Sequence, residues 1–246
     1  MNPIVCGIVR AVFHLWFNFS IEGTENIPKE GGIVIASNHR SFADVVAITI
    51  PMKPPLKYMA RDTLFKNKIV SLFIRILGAF PVKRDTASTE LFKTCDEILR
   101  AGKNLVIFPE GTRQYKNKVG AGKAGVAMIA ARSGADVLPC GIIFEGEKLH
   151  FRSKFTIKFG PIIKADEISV DGTSSKEMRK VRDRIMNAIR ELVEGGVVSA
   201  DSSDGVGKTD GTDSLGSTDN TGGMSSTDGK VGVGGKDNTS GDTDAI

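Results

Sequence analysis

A histidine and an aspartate with spacing suited to acid–base chemistry lie near the start of the chain. His39 is in a polar loop, residues 37–41, directly after the apolar run 33–36, and Asp44 follows five residues later. Positions five apart diverge on a helix, so the two can meet only if His39 precedes a helix whose first turn holds Asp44. We then expect Asp44 to accept a hydrogen bond from His39 Nδ1 and to stabilise the imidazolium formed when Nε2 takes a proton.

Asp44 also has a simpler interpretation. It stands three residues after Ser41, which we predict to be the N-cap of the helix, so its carboxylate could merely complete a capping box. The two uses compete for the same oxygens.

No protein nucleophile accompanies the histidine. The sequence has no Gly-x-Ser-x-Gly elbow, and Ser41 is better suited to capping than to attack. A base without a nucleophile favours direct transfer, in which the hydroxyl of the substrate attacks an acyl thioester and no acyl-enzyme forms.

A second polar segment follows another predicted strand. Pro109 blocks further strand pairing and Gly111 permits a tight turn, which presents Thr112 and Arg113 to a ligand. Arginine is suited to bidentate binding of phosphate. The alternative is a surface turn in which Arg113 pairs with Glu110.

Two further cations have a similar setting. Lys83 and Arg84 come at the end of the predicted strand 78–82 and before a helix. Either cluster alone could be a solvated surface charge, but together with Arg113 we expect Lys83 and Arg84 to converge on one phosphate group.

Strands and helices alternate along the chain. The predicted strands are 19–23, 33–36, 56–60, 78–82, 104–108, 137–144 and 155–159, and the predicted helices are 3–19, 41–50, 63–77, 86–101, 123–133 and 176–194. This order predicts a single α/β domain with a mostly parallel or mixed sheet flanked by helices. Ligands of such sheets bind beyond the carboxyl ends of strands, where His39 and Arg113 would lie.

Two predicted helices are unusually apolar. In helix 3–19, Arg10, His14 and Asn18 share one face and apolar residues cover the other, so it could lie in a membrane interface or pack on its own domain. Helix 63–77 is apolar around nearly its whole circumference and is either deeply buried or partly in lipid. No stretch reaches the roughly 18 uncharged apolar residues of a spanning helix.

The composition changes near residue 199. Residues 199–246 contain no aromatic residue and are mainly Gly, Ser, Thr, Asp and Asn, which predicts a disordered tail. The tail has nine Asp and three Lys, a net charge of −6, so a total of +4 leaves +10 on residues 1–198. The positive charge of residues 1–198 predicts an anionic partner. The expected organisation is an amphipathic membrane-interface helix at 1–20, a basic domain at 21–198 and the disordered tail.

Several other classes of site are not indicated. The three Cys and three His are scattered, without Cys-x-x-Cys or His-x-x-x-His pairs, so we expect no metal and a reducing compartment. Cations and aromatic residues are not interleaved, so we expect no nucleic-acid partner. Residues 120–125 spell G-x-G-x-x-G, but no buried strand precedes them, which argues against a dinucleotide site.

Four segments together resemble, in order, the sequence blocks of the glycerolipid acyltransferase family, in particular its bacterial 1-acyl-sn-glycerol-3-phosphate acyltransferases. They are residues 38–44 (the His-x4-Asp block), 78–84, 108–113 and 137–140. The resemblance extends over residues 20–165 and leaves out the tail. Gln114 stands where a serine is common, and Lys83 where an acidic residue often precedes the arginine.

The resemblance implies acyl transfer to the sn-2 hydroxyl of 1-acyl-sn-glycerol 3-phosphate (lysophosphatidic acid), giving phosphatidic acid in phospholipid biosynthesis. It makes His39 the base and Asp44 its partner. The residues that would contact the acceptor or shape its site are Lys83, Arg84, Glu110, Gly111, Thr112 and Arg113. Other acceptors stay open, namely glycerol 3-phosphate, another lysophospholipid or a lyso-aminolipid, as does a non-catalytic lipid-binding module.

The resemblance also implies an acyl donor and a place of action. The donor would be acyl-coenzyme A or acyl carrier protein, used as a thioester co-substrate, and no bound cofactor is expected. We expect contact with an anionic membrane lipid surface, at the cytoplasmic face of the cell membrane, by a peripheral or monotopic protein.

Overall fold

A computed structural model describes residues 3–52, 56–82, 89–115, 118–170 and 174–195. The strands are β1 (Asn18–Glu22), β2 (Val34–Ser37), β3 (Leu56–Arg61), β4 (Ala79–Val82), β5 (Asn104–Ile107), β6 (Val137–Phe144) and β7 (Lys154–Phe159). The helices are α1 (Pro3–Trp16), α2 (Ala43–Thr49), α3 (Lys68–Ile76), α4 (Thr89–Arg100), α5 (Gly125–Ser133) and α6 (Ser175–Glu194). The predicted tail, residues 199–246, lies outside these ranges.

All seven strands form one mixed sheet in the order β1-β7-β6-β2-β5-β3-β4. The five strands from β6 to β4 in that order are mutually parallel, β7 is antiparallel to β6, and β1 is parallel to β7. The carboxyl ends of the five parallel strands therefore share one edge of the sheet. The predicted α/β fold with a mixed sheet is confirmed.

Helices cover both faces of the sheet, which explains why β2 and β5 are buried along their length and mostly apolar. Helices α4, α5 and α6 pack on the face that contains Val34 and Ala36, whereas α1 and α2 pack on the face that contains Ile35. The chain steps along the sheet in the same direction from β2 through α2 to β3 as from β3 through α3 to β4. Right-handed crossovers therefore place α3 on the same face as α2.

The prediction of one helix over 63–77 is wrong. A 3₁₀ helix (Asp62–Lys66) comes first, and α3 starts after Asn67, whose side-chain oxygen accepts the N–H groups of Ile69 (3.0 Å) and Val70 (3.3 Å). Asparagine at this position is a strong N-cap. The deeply buried alternative is also wrong, because Ile69 is 82 % and Phe73 57 % exposed.

Helix α1 is shorter than predicted and uses its apolar residues in two directions. It ends at Trp16, and β1 begins at Asn18. Phe13 is buried among the rings of Phe17, Phe19 and Phe155, with centroids 5.0–5.7 Å away. In contrast, three large side chains of its last two turns are exposed: Val12, Leu15 and Trp16. No helix of the described ranges is long and apolar enough to cross a bilayer.

Candidate active site

His39 and Asp44 are in direct contact beyond the carboxyl end of β2. His39 lies two residues after this strand, and Asp44 is in the first turn of α2. The distance from His39 Nδ1 to Asp44 Oδ2 is 2.9 Å; Asp44 is fully buried, and 19 % of the His39 side chain is exposed. The histidine precedes the helix, as the spacing requires.

A single oxygen of Asp44 organises this loop. Oδ2 also accepts the backbone N–H groups of Arg40 (2.7 Å) and Ser41 (2.8 Å). An oxygen that accepts three donors belongs to an ionised carboxylate acting as an acceptor. Nδ1 of His39 therefore carries the hydrogen, which leaves the lone pair on Nε2.

The capping and orienting uses of Asp44 do not compete, because the same oxygen serves both. The prediction that Ser41 is the N-cap is wrong by one residue. Helix α2 begins at Ala43, with Phe42 in the N-cap position, and Ser41 Oγ accepts the N–H of Ala43 at 3.2 Å.

The His39 ring is held on a second side by an aromatic residue. Phe108, directly after β5, stacks on it with a centroid distance of 4.1 Å and an interplanar angle of 22°. Among the hydrogen bonds of the described residues, the ring uses Nδ1 and not Nε2. The imidazole is thus oriented by Asp44 at Nδ1 and by Phe108 on one ring face.

Glu110 joins the loops that follow β2 and β5. Its Oε2 accepts the N–H of His39 (2.9 Å), and its Oε1 accepts the N–H of Gly120 (2.7 Å). The carbonyl of His39 in turn accepts the N–H of Gln114 at 2.7 Å. Glu110 is 4 % exposed, and its burial raises the pKa of the carboxyl, against which both amide bonds act. Glu110 therefore serves as a backbone acceptor instead of the surface partner of Arg113.

Two neighbours of His39 fasten the loop to β6. Asn38 donates through Nδ2 to the carbonyl of Ile142 (2.9 Å) and accepts its N–H through Oδ1 (2.7 Å). Arg40 donates to the carbonyls of Phe144 and Gly146, both at 2.7 Å. The Arg40 guanidinium also lies 3.6 Å from the centroid of the Phe144 ring. Sequence reasoning missed both anchors.

Arg40 is a cation in an interior position. It is 3 % exposed, and burial lowers its pKa while the nearby Asp44 carboxylate opposes that shift. Its hydrogen bonds to carbonyls, including a longer one to Tyr115 (3.3 Å), compensate for lost hydration. We therefore assign Arg40 to the support of the loop and not to ligand binding.

Arg113 lies beside the same loop. Its guanidinium carbon is 4.4 Å from the centroid of the Phe42 ring, in cation–π geometry. Gly111 and Thr112 precede it on the surface, and Gly111 has the positive φ of 72° that glycine tolerates. The turn therefore presents its polar groups close to the His39 loop.

Sequence reasoning also missed a lysine. A Cβ atom on Gly111 would lie 2.8 Å from Nζ and Cε of Lys123, so this side chain rests against Gly111. The N–H of Lys123 donates to the carbonyl of Pro109 at 2.8 Å. The available signal was a lysine in the glycine-rich segment 120–125, which otherwise drew notice only as a failed dinucleotide motif.

Lys83 and Arg84 lie outside the described residues, so their convergence with Arg113 stays a prediction. Strand β4 ends at Val82, at the same sheet edge as His39.

Comparison with known proteins gives a consistent family. The sequence model of the acyltransferase family matches residues 18–143, just over half of the chain. The 1-acyl-sn-glycerol-3-phosphate acyltransferase of Bacillus subtilis is 28 % identical over 196 residues, covering 78 % of this chain and 96 % of the Bacillus protein. Chloroplastic LPAT1 of Arabidopsis thaliana, which bears the same enzyme name, is 28 % identical over 150 residues; the match covers 60 % of this chain but 42 % of the plant protein.

A solved structure has the same fold. The crystal structure of the 1-acyl-sn-glycerophosphate (LPA) acyltransferase PlsC from Thermotoga maritima superposes with a TM-score of 0.64 at 25 % identity, over 82 % of this chain and 81 % of that one. The family match, residues 18–143, contains strands β1 to β5, all of β6 except its last residue, and the loop that carries His39 and Asp44. On this evidence, the chain belongs to the acyltransferase family.

Proposed function

We propose that this chain transfers an acyl group from an acyl thioester to the sn-2 hydroxyl of 1-acyl-sn-glycerol 3-phosphate, giving phosphatidic acid. The contact of 2.9 Å between His39 Nδ1 and the buried carboxylate of Asp44 carries the proposal, because it prepares a base at Nε2. The relatives named for this reaction support the choice of acceptor.

The proposed reaction is one direct displacement. Nε2 of His39 takes the proton of the acceptor hydroxyl while that oxygen attacks the thioester carbonyl. The tetrahedral intermediate then expels the thiolate, which receives the proton from the imidazolium. Asp44 stabilises the imidazolium in between. A positioned base of this kind contributes about 10²–10⁴-fold, and holding donor and acceptor together supplies much of the rest.

Cations beside the base would bind the acceptor phosphate. Glu110 accepts the backbone N–H of His39. Arg113 follows Glu110 by three residues and lies over Phe42, and Lys123 rests against Gly111. A bidentate arginine contact to phosphate is charge-assisted and worth about 1.5–3 kcal/mol. We include Lys83 and Arg84 in the same phosphate site, on the sequence resemblance.

The donor and the membrane belong to the proposal as well. The +10 charge of residues 1–198, from a total of +4 and a tail of −6, suits acyl-coenzyme A, acyl carrier protein and anionic phospholipid alike. No bound cofactor is required by the mechanism. The exposed Leu15 and Trp16 of α1 support peripheral or monotopic contact with the cell membrane. Its cytoplasmic face is proposed on the sequence resemblance.

An assay that varies donor and acceptor separately tests this function. Detergent-solubilised protein is incubated with 1-acyl-glycerol 3-phosphate and either acyl-coenzyme A or acyl carrier protein thioester, and diacyl product is measured by mass spectrometry. Glycerol 3-phosphate and lysophosphatidylcholine serve as competing acceptors. We expect diacyl product from the lysophosphatidic acid. A clear preference for either competitor would replace the proposed acceptor, and no transfer to any of them would refute the function.

A further inference from the structure

The exposed large apolar side chains are unevenly distributed between the two faces of the sheet. The large apolar residues that are at least 37 % exposed are Val12, Leu15, Trp16, Phe42, Ile69, Val70, Leu72, Phe73, Ile76, Tyr115 and Phe151. In the described ranges, none of them belongs to α4, α5 or α6, the three helices on the opposite face of the sheet. Nearly half of them belong to α3, a helix of nine residues.

The exposed residues of α3 form a stripe. Ile69, Phe73 and Ile76 recur with the spacing of one helix face and are 82 %, 57 % and 55 % exposed, and Leu72 (64 %) adjoins them. Soluble monomers rarely leave contiguous apolar surface of this kind to water, and such patches mark protein or membrane contacts.

Positive charge borders the stripe. Residues 63–82 contain Lys66, Lys68 and Arg75 and no acidic residue. Lys68 and Arg75 are seven positions apart and therefore on one side of the helix, and Arg75 Nε donates to Ser71 Oγ at 3.2 Å. An apolar face bordered by cations matches the surface of an anionic bilayer. The same face of a second copy would carry the same charge and repel it.

The topology places this stripe beside the candidate active site. Strand β3 ends at the same sheet edge as the His39 loop, and α3 follows it on the α2 face. Across the site, Trp16 and Phe151 meet with ring centroids 5.4 Å apart, and both lie next to the start of β1 and β7 at this edge. Exposed apolar groups thus flank the His39 loop on two sides.

We infer that α3 is a lipid-docking element, whose Ile69, Phe73 and Ile76 insert into the headgroup boundary of an anionic phospholipid bilayer while the neighbouring cations contact lipid phosphates. Together with α1, it holds the active-site edge against the layer that contains the headgroup of a lysolipid. The role of this docking in presenting a lysolipid to the active site rests on the proposed function. Binding of α3 to a bilayer is measured without catalysis.

Vesicle binding of the full chain tests the docking element. Sedimentation with vesicles of phosphatidylglycerol and phosphatidylcholine compares wild type with Ile69→Ser/Phe73→Ser, after thermal unfolding has shown that both are folded. We expect binding to weaken at least about 10-fold, which corresponds to 1.4 kcal/mol. Lys66→Glu/Lys68→Glu should weaken it as well, whereas the matched charge reversal on α6, Lys176→Glu/Lys180→Glu, should not. Unchanged binding of the α3 variants would overturn the inference.

Fluorescence quenching reads insertion directly. Trp16 is the single tryptophan, so a Trp16→Phe background permits one new reporter at a time. We expect Phe73→Trp to be quenched by lipids brominated in their acyl chains, and Arg179→Trp, at an exposed position of α6, to be unaffected. Equal quenching at both positions, or none at position 73, would contradict docking through α3.

Two further readouts separate the possible failures. With a short-chain lysophosphatidic acid below its micellar concentration, Ile69→Ser/Phe73→Ser should retain turnover, whereas it should lose turnover on vesicle-bound acceptor. If wild type acylates neither acceptor but its α3 still binds vesicles, the proposed function fails and the docking stands. If the apolar variant instead converts a wild-type dimer to a monomer in sedimentation velocity, α3 is covered by a second copy and the inference is wrong.

Discussion

Replacing Asp44 with Asn separates the two uses of this side chain. Oδ2 accepts the Arg40 and Ser41 amides as well as His39 Nδ1, and an amide oxygen can keep the two backbone bonds. The other oxygen, Oδ1, is buried without a hydrogen-bond partner in the part of the chain that is described, so the new NH₂ group displaces no existing bond. Asp44→Asn therefore keeps the loop capped but removes the negative charge.

The expected loss follows from the geometry of the pair. At the observed 2.9 Å, opposite unit charges attract by about 6 kcal/mol at an effective dielectric constant of about 20. This value is an upper bound, because the imidazolium charge is delocalised and His39 is partly exposed. We expect kcat to fall by about 10²–10⁴, or about 2.7–5.4 kcal/mol in the barrier. The free energy of unfolding should change by only about 1 kcal/mol.

The assay measures kcat for diacyl product and, separately, urea unfolding. Ser41→Ala is the matched control, since it removes only the bond from Ser41 Oγ to the Ala43 N–H. We expect it to cost up to about 1 kcal/mol of stability and to change kcat less than about threefold. If Asp44→Asn retained kcat within threefold of wild type, the carboxylate would be a cap alone. If it unfolded the protein, the assumption that the amide preserves the backbone bonds would be refuted.

Three other predictions follow from the loop after β5. Arg113→Ala should raise the acceptor KM at least about 10-fold with a smaller change in kcat, and an unchanged KM would remove Arg113 from the phosphate site. Gly111→Ala should cost about 1–2 kcal/mol in urea unfolding because of its positive φ and should displace Lys123; equal stability and KM would contradict this. Burial raises the pKa of Glu110, so the stability that its protonated form contributes is present below the unfolded pKa of about 4.3 and is lost as pH rises through the folded pKa. Glu110→Gln lacks this titration, so its free energy of unfolding should rise relative to wild type as pH rises in that window. The opposite slope would contradict the raised pKa.

Local spacing was sufficient to predict the centre of the site. His39 and Asp44 are five residues apart, and they lie between the end of a strand and the first turn of a helix. This local backbone path leaves few arrangements of the two side chains other than direct contact. The same holds for the turn at Gly111 and for the end of the predicted helix 123–133, since α5 also ends at Ser133. These features depend on backbone preferences that neighbouring residues decide.

Contacts between distant segments could not be predicted in this way. Asn38 and Arg40 flank His39, yet their partners on and after β6 lie more than 100 positions away. The approach of Lys123 to Gly111 requires knowledge of the path between β5 and α5. The order of strands, with β1 beside β7, is likewise a result of packing over the whole sheet.

The error at α3 has a local cause and a non-local one. Asn67 lies within an apolar pattern that predicts one continuous helix. Its role as the N-cap of α3 was therefore not predicted. Periodicity also does not distinguish burial from lipid contact when apolar residues surround a helix. The exposure of Ile69 and Phe73 depends on the tertiary structure, since in the described ranges no other helix covers the face of α3 that contains them.

The most direct test of the account is the dependence of phosphatidic acid formation on His39. Initial rates with 1-acyl-glycerol 3-phosphate and the productive thioester donor are compared for wild type, His39→Ala and His150→Ala, a histidine in the turn before β7. The account predicts a loss of at least about 10² for His39→Ala, with unchanged unfolding and a normal rate for His150→Ala. Near-normal product formation by folded His39→Ala would contradict the assignment of the base and, with it, the proposed mechanism.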